Sequence, residues 1–264
     1  GGATTVGGVA TITTLTTGTL TFNGASGSIG TLTAGTFNLN GAAATVGTLS
    51  AGTINLAAST ALTVDSGTFS GSLAGSGSLI KATSGILTLT AANASFSGTT
   101  TINAGELIIQ DAGSLGTGAI TVADGATLNL NNLGVTNAIT VATNGIITGG
   151  PTTASVTTSG TTSVTTVLTG TGGLTKADGG ELTLTTPNFF TGAVTANTVG
   201  AVISAAYLAD NSSSLGASAL NDPTKLVLGN GATLEFTGTT ATTTSRSFTV
   251  NGSAALAVDA AAAP

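Results

Sequence analysis

Few residues in this chain could carry out chemistry. Histidine and cysteine are absent, which removes the Ser-His-Asp triad, the thiol nucleophile and the usual zinc ligands. Ser78 and Lys81 match the spacing of a Ser-Lys nucleophile pair, but that pair needs a helix and this segment reads as a strand. Carboxylate pairs are the other route, as in sugar-cleaving enzymes. Asp178 and Glu181 lie three apart across a turn, and Asp124-Gly125 and Asp178-Gly179 are turn signals. A sugar-cleaving site also needs aromatic rings, and here there is no Trp and one Tyr, Tyr207. No catalytic residue, metal site or cofactor is therefore expected, and the chain reads as a non-enzyme. For calcium, Asp210, Asn211 and Asp222 near an expected loop are only a weak candidate cluster, and a solvated acidic loop explains them better.

Two further residues recur as a pair. Lys81 precedes Asn93 by the same spacing as Lys176 precedes Asn188. One reading is a Lys–Asn side-chain crosslink, formed with loss of ammonia. The ordinary reading places the lysine stem along the coil with its ammonium in water and the asparagine in a turn. The ordinary reading is preferred. Gly-x-Gly runs such as Gly75-x-Gly77 lack the third glycine and the helix that phosphate binding requires.

The elements that hold these residues come from repetition. The 264 residues include 40 Gly, and charged residues make up 5%, against about 25% in ordinary domains. Such low charge suggests a membrane protein, yet no run of about 18 apolar residues occurs to form a spanning helix. Hydrophobic residues make up 41% and recur at regular intervals, so a core can form. Net charge is −6 with no basic patch, which argues against nucleic acid and anionic membranes. No basic region followed by an apolar stretch opens the sequence, so no signal peptide is expected within it. Ala260–Pro264 reads as a linker or a cut.

Residues 9–58 repeat at a period of 17. Leu15, Leu32 and Leu49 align, as do Gly18, Gly35 and Gly52, and Asn23 with Asn40. Each unit alternates polar and apolar residues as strands do, as in Thr19-Leu20-Thr21-Phe22. A unit this small cannot bury its own apolar face, so stacking into a parallel solenoid is expected. Asn23 over Asn40 and Asn38 over Asn55 would then form amide ladders.

A longer repeat follows at an offset of 95 residues, slipping to 94. Gly75-Ser76-Gly77-Ser78-Leu79-Ile80-Lys81 matches Gly170-Thr171-Gly172-Gly173-Leu174-Thr175-Lys176. Asn93, Phe96 and Gly98 match Asn188, Phe190 and Gly192, and Ser114-Leu115-Gly116 matches Ser214-Leu215-Gly216. The later copy carries extra residues around Asn221-Asp222-Pro223, expected to form a loop, with residues 204–224 as the candidate side excursion. The run Gly-x-Gly-x-Leu-x-Lys, Leu-Thr-Leu-Thr, Asn-x-x-Phe-x-Gly resembles the passenger-associated strand repeat of bacterial autotransporters. The resemblance covers roughly residues 74–258.

That resemblance implies an all-β, right-handed parallel β-helix, displayed on or released from a bacterial surface. The chain is expected to divide into a short-coil solenoid over residues 1–72 and a continuing solenoid over 73–264, with long repeats at about 74–168 and 169–258. The expected function is a structural subunit of an extracellular filament or sheath, self-associating end to end because residues 1–10 show no cap. The alternative is a displayed passenger or adhesin stalk with a host-surface or matrix ligand, for which Phe189-Phe190 and Tyr207 are the only hints. A polysaccharide-active β-helix enzyme is the third reading.

Overall fold

A computed structural model describes residues 2–24, 26–41, 43–131, 133–142, 144–148, 156–165, 167–210, 212–217 and 219–259. Its secondary structure is strands and one 3-10 turn among the described residues, and the strands stack in parallel as a β-solenoid. Two compact units divide it, Gly1–Leu133 and Gly134–Pro264. The change of repeat length expected at residue 72 falls inside the first.

In the first unit, Ala3–Val6, Thr19–Phe22, Thr36–Leu39, Thr53–Leu56 and Ser72–Gly75 form one parallel sheet in chain order. Its register is the 17-residue period: Leu20 pairs with Phe37 and Phe37 with Ile54. A second sheet stacks Ala10–Leu15, Gly27–Leu32, Ala43–Leu49, Ala61–Phe69, Ser78–Lys81, Thr100–Ile102 and Ile120–Val122. The far end of Ala61–Phe69 turns into a third sheet with Ile86–Leu89, Glu106–Ile109 and Thr127–Asn129.

Thr and aliphatic residues alternate because a pleated strand sends neighbours to opposite faces. The inward set makes continuous ladders. Leu15, Leu32 and Leu49 lie in register, and Leu32 and Leu49 are fully buried. Each such side chain contributes roughly 1.5–3 kcal/mol by leaving water. Phe22 and Phe37 meet edge to face at 5.3 Å.

Gly18, Gly35 and Gly52 turn the corner with positive φ, at 81°, 86° and 109°. A side chain on Gly35 or Gly52 would also stand 2.6 or 2.7 Å from the carbonyl oxygen of the glycine one coil below. Only glycine allows both the turn and the close stacking. Both amide ladders form as expected: Asn40 Nδ2 donates to Asn23 Oδ1 at 3.0 Å and Asn55 Nδ2 to Asn38 Oδ1 at 2.7 Å.

The second unit repeats the plan with two main sheets. One runs Ile139–Val141, Val156–Thr158, Leu174–Lys176, Val194–Ala196, Leu226–Leu228 and Thr249–Val250. The other runs Ile146–Thr148, Thr162–Val164, Gly180–Leu184, Ala201–Ala205, Ala232–Phe236 and Ala254–Val258.

One coil is oversized. Ile203 reaches its partner Leu234 after 31 residues, against 21 from Leu182 to Ile203. The extra chain forms an antiparallel hairpin, Leu208–Ala209 with Ser212–Ser213, and a 3-10 turn at Pro223–Lys225 capped by the Asp222 side chain. This is the excursion that coil length implies in the sequence.

Candidate functional site

Two places hold the residues singled out by sequence: an interior bracket repeated in both units, and the excursion of the second unit. The bracket begins with a lysine on a strand. In Ser78–Lys81, Leu79 and Lys81 face inward and Ser78 and Ile80 outward. Lys81 therefore occupies an aliphatic ladder, paired with Val64 below and Ile102 above. Lys176 does the same between Thr158 and Ala196. Both are fully buried.

The expected outward lysine is thus corrected. Its position two residues from an inward leucine fixes the face, and the ammonium finds partners inside the corner rather than in water. Lys81 Nζ donates to Thr83 O, and to Ala104 O at 3.2 Å. Lys176 Nζ donates to Asp178 Oδ1, and to Gly179 O at 2.9 Å. Burial pushes the Lys81 pKa below the ordinary lysine value, opposed by the nearby Asp65 carboxylate. The hydrogen bond from Lys176 holds the Asp178 carboxyl below the usual carboxylate range, helped by the Gly160 N–H at 2.7 Å.

Asn93 and Asn188 are also buried, and their bonding is the same in both copies. Asn93 Oδ1 accepts from Leu73 N at 2.8 Å, one coil below. Its Nδ2 donates to Ser114 O at 2.7 Å, one coil above, and to Ala91 O at 3.3 Å. Asn188 Oδ1 accepts from Leu168 N at 2.7 Å, and Nδ2 donates to Ser214 O at 2.7 Å and Thr186 O at 3.3 Å. One amide thus satisfies main-chain groups of three successive coils where the chain leaves the ladder.

Ser114 and Ser214 complete the bracket, donating to Leu89 O and Leu184 O, both at 3.2 Å. The sequence match of Ser114-Leu115-Gly116 with Ser214-Leu215-Gly216 marks this pair, although its bonding is invisible there. Phe96 and Phe190 fill the interior beside it. Gly98 and Gly192 lie directly over the backbone of Gly77 and Gly172, leaving no room for a side chain.

The groupings that suggested catalysis are not assembled. Ser78 faces away from Lys81, and its Oγ lies 3.1 Å from Thr99 Oγ1. Asp178 is committed to Lys176 and Gly160, whereas Glu181 Oε1 accepts from Thr183 Oγ1 at 3.3 Å. Lys81 bonds to Thr83 O and Ala104 O, whereas Asn93 bonds to Leu73 N, Ala91 O and Ser114 O, so their hydrogen bonds go to separate partners. Asn211 lies outside the described residues. Among those described, no group of three or more Asp and Glu could hold a metal.

At the excursion, the hairpin is latched by a strap over residues 237–247. Asp210 Oδ1 accepts from Thr244 Oγ1 at 2.8 Å and Ser245 N at 2.7 Å, and Oδ2 from Ser245 Oγ at 2.7 Å. These bonds lower the Asp210 pKa below the usual range. The next residue, Arg246, is buried and donates from Nη2 to Gly216 O at 2.7 Å. Sequence reasoning missed Arg246, and weighed Asp210 only as a weak calcium ligand or a solvated acid. Their partners lie 30 to 35 residues away, with no local signal to find them.

No curated protein and no solved structure matches this chain. A family model described as passenger-associated-transport-repeat matches residues 79–109 and 174–198. These segments are narrower than the 74–258 resemblance, and each opens on the strand of a buried lysine and includes the bracket asparagine, phenylalanine and glycine. Residues 79–109 and 174–198 are thus similar to the passenger-associated-transport-repeat, in line with the strand repeat read from the sequence.

Proposed function

We propose that this chain is a non-catalytic, surface-displayed passenger stalk, a β-solenoid that carries its excursion away from a bacterial cell. The observation that carries this reading is how the repeat uses its polar side chains. Lys81, Asn93, Lys176 and Asn188 are buried, and each is bonded to coil corners or neighbouring coils. Polar groups used this way support a stack and leave nothing to meet a substrate. The passenger repeat is in keeping with secretion or surface display.

A filament subunit is the second reading. It is favoured by the parallel, in-register pairing that joins each coil to the next. The same pairing is suited to joining copy to copy. Negative-stain electron microscopy over a concentration series separates the two. Isolated short rods at every concentration are expected for a stalk. Long fibres of uniform width would sink the stalk reading and establish the filament.

A further inference from the structure

The chain has nine aromatic residues, eight Phe and one Tyr. Five of the phenylalanines, Phe22, Phe37, Phe69, Phe96 and Phe190, are fully buried in the coils. Two of the exposed aromatics stand on either side of one hairpin. Phe189, 55% exposed, borders a depression of about 270 Å³ with Asp210 and Leu220. Tyr207, 45% exposed, walls a larger groove of about 470 Å³ between the hairpin and the strap.

The Tyr207 groove is built rather than incidental. The Tyr207 main chain is clipped at both ends to Ser214, its N–H donating to Ser214 Oγ at 3.2 Å and its carbonyl accepting from Ser214 N at 2.7 Å. Ser214 belongs to the buried bracket, so the Tyr207 backbone is tied to a buried polar contact. Phe236 lines the groove floor. Gly238 sits against Ala206 O and the Phe236 ring with no room for a side chain, which brings the strap close beneath the hairpin. The Asp210 latch then holds strap and hairpin together.

The lining mixes apolar residues, among them Ala206, Leu208, Ala209 and Ala241, with hydroxyl-bearing ones. It combines the Tyr207 and Phe236 rings with hydroxyls from Thr185, Ser212, Thr239 and Thr240, and it includes no charged residue. The size lies within the roughly 300–1,000 Å³ range of small-ligand sites. An exposed aromatic face with a hydroxyl at its tip offers an apolar platform beside polar partners. A sugar ring has the complementary make-up, a C–H face and a rim of hydroxyls. An anion would find no cation in the lining, and an aliphatic ligand would leave the hydroxyl rim unused.

We propose that the Tyr207 groove recognises a short, uncharged oligosaccharide. This rests on the stalk reading above and names what the displayed excursion binds.

Tyr207 is the only tyrosine and there is no tryptophan, so tyrosine emission reports this groove alone. The test titrates the whole chain with neutral di- to tetrasaccharides of glucose, galactose, mannose and N-acetylglucosamine, and with anionic oligosaccharides in parallel. A saturable emission change with one neutral class is expected. Calorimetry should show a loss of roughly tenfold or more for Tyr207→Ala and for Thr240→Val, with unchanged thermal melting. Three outcomes overturn the proposal: no saturable change with any neutral sugar, affinity retained in both variants, or binding confined to anionic oligosaccharides. Rods that bind no sugar remove this proposal alone, and fibres that bind sugar remove the stalk reading alone.

Discussion

Lys81 and Lys176 hold one position in two copies of one repeat, yet their charge is met differently. In the first copy the ammonium rests on the main-chain carbonyls of Thr83 and Ala104. In the second, Asp178 stands where Thr83 stands and supplies a carboxylate, half-exposed at the corner. The asparagine of the two copies shows no such variation, and its partners match within 0.1 Å. The fold tolerates exchange of a group that caps a single corner, because backbone or side chain can accept the same proton. A group that bridges three coils at once is the same residue in both copies, since it must donate and accept in one place.

The largest effect should come from removing that bridge. Asn93→Ala leaves Leu73 N and Ser114 O buried without a partner, and each such group costs about 1–3 kcal/mol. A loss of about 4 kcal/mol is expected, and the same for Asn188→Ala. Urea unfolding, with hydrogen exchange at the Leu73 and Leu168 amides, checks both. Unequal losses would break the equivalence of the two brackets.

The lysines should then divide the copies. Lys81→Met replaces a buried charge hydrogen-bonded only to backbone carbonyls, with Asp65 nearby, by a side chain of similar length, and should leave stability unchanged or raise it. Lys176→Met strands Asp178, and should cost about 1 kcal/mol once the exposure of that carboxylate is allowed for. Denaturation midpoints of the two variants decide the matter, and a shared sign would contradict the division.

A smaller contrast lies in the acceptors. Asp178→Asn should cost about 1 kcal/mol after solvent screening. Thr83→Ala keeps its carbonyl and loses only the Thr83 Oγ1 bond to Asp65 O at 3.0 Å, about 0.5 kcal/mol. Thermal melting of the pair tests this, with Thr83→Ala as the milder change.

The smallest contrast is with pH: both groups make stability rise with pH, but in separate windows. Asp178 has a lowered pKa in the fold, so its contribution is complete above the ordinary carboxylate value and is lost as pH falls through the lowered one. Lys81 also has a lowered pKa, so stability again rises with pH, here as pH climbs from the lowered value toward the ordinary lysine value. Melting profiles should lose the acid limb in Asp178→Asn and the alkaline limb in Lys81→Met.

Periodic features were the legible ones. Leu15, Leu32 and Leu49, the glycine corners and the amide ladder of Asn23 and Asn40 are each dictated by a neighbour at a fixed offset, so repetition exposes them. The excursion was legible from surplus length alone. The burial of Lys81 was not, although Leu79 two residues earlier already marks the inward face. The acceptors that make burial tolerable are backbone carbonyls at corners, and no residue type advertises them. The bonding at Asp210 and Arg246 was hidden for a related reason, since each partner lies a whole oversized coil away.

The inward lysines also change which reagents can reach the protein. The chain carries three lysines, of which Lys81 and Lys176 are fully buried, while Lys225 lies half-buried beside the capped turn. An amine-acylating reagent therefore meets one lysine side chain in the folded protein and three once the coils open. Counting acyl groups by mass turns the two brackets into internal gauges of coil opening, each read at its own lysine with no dye attached.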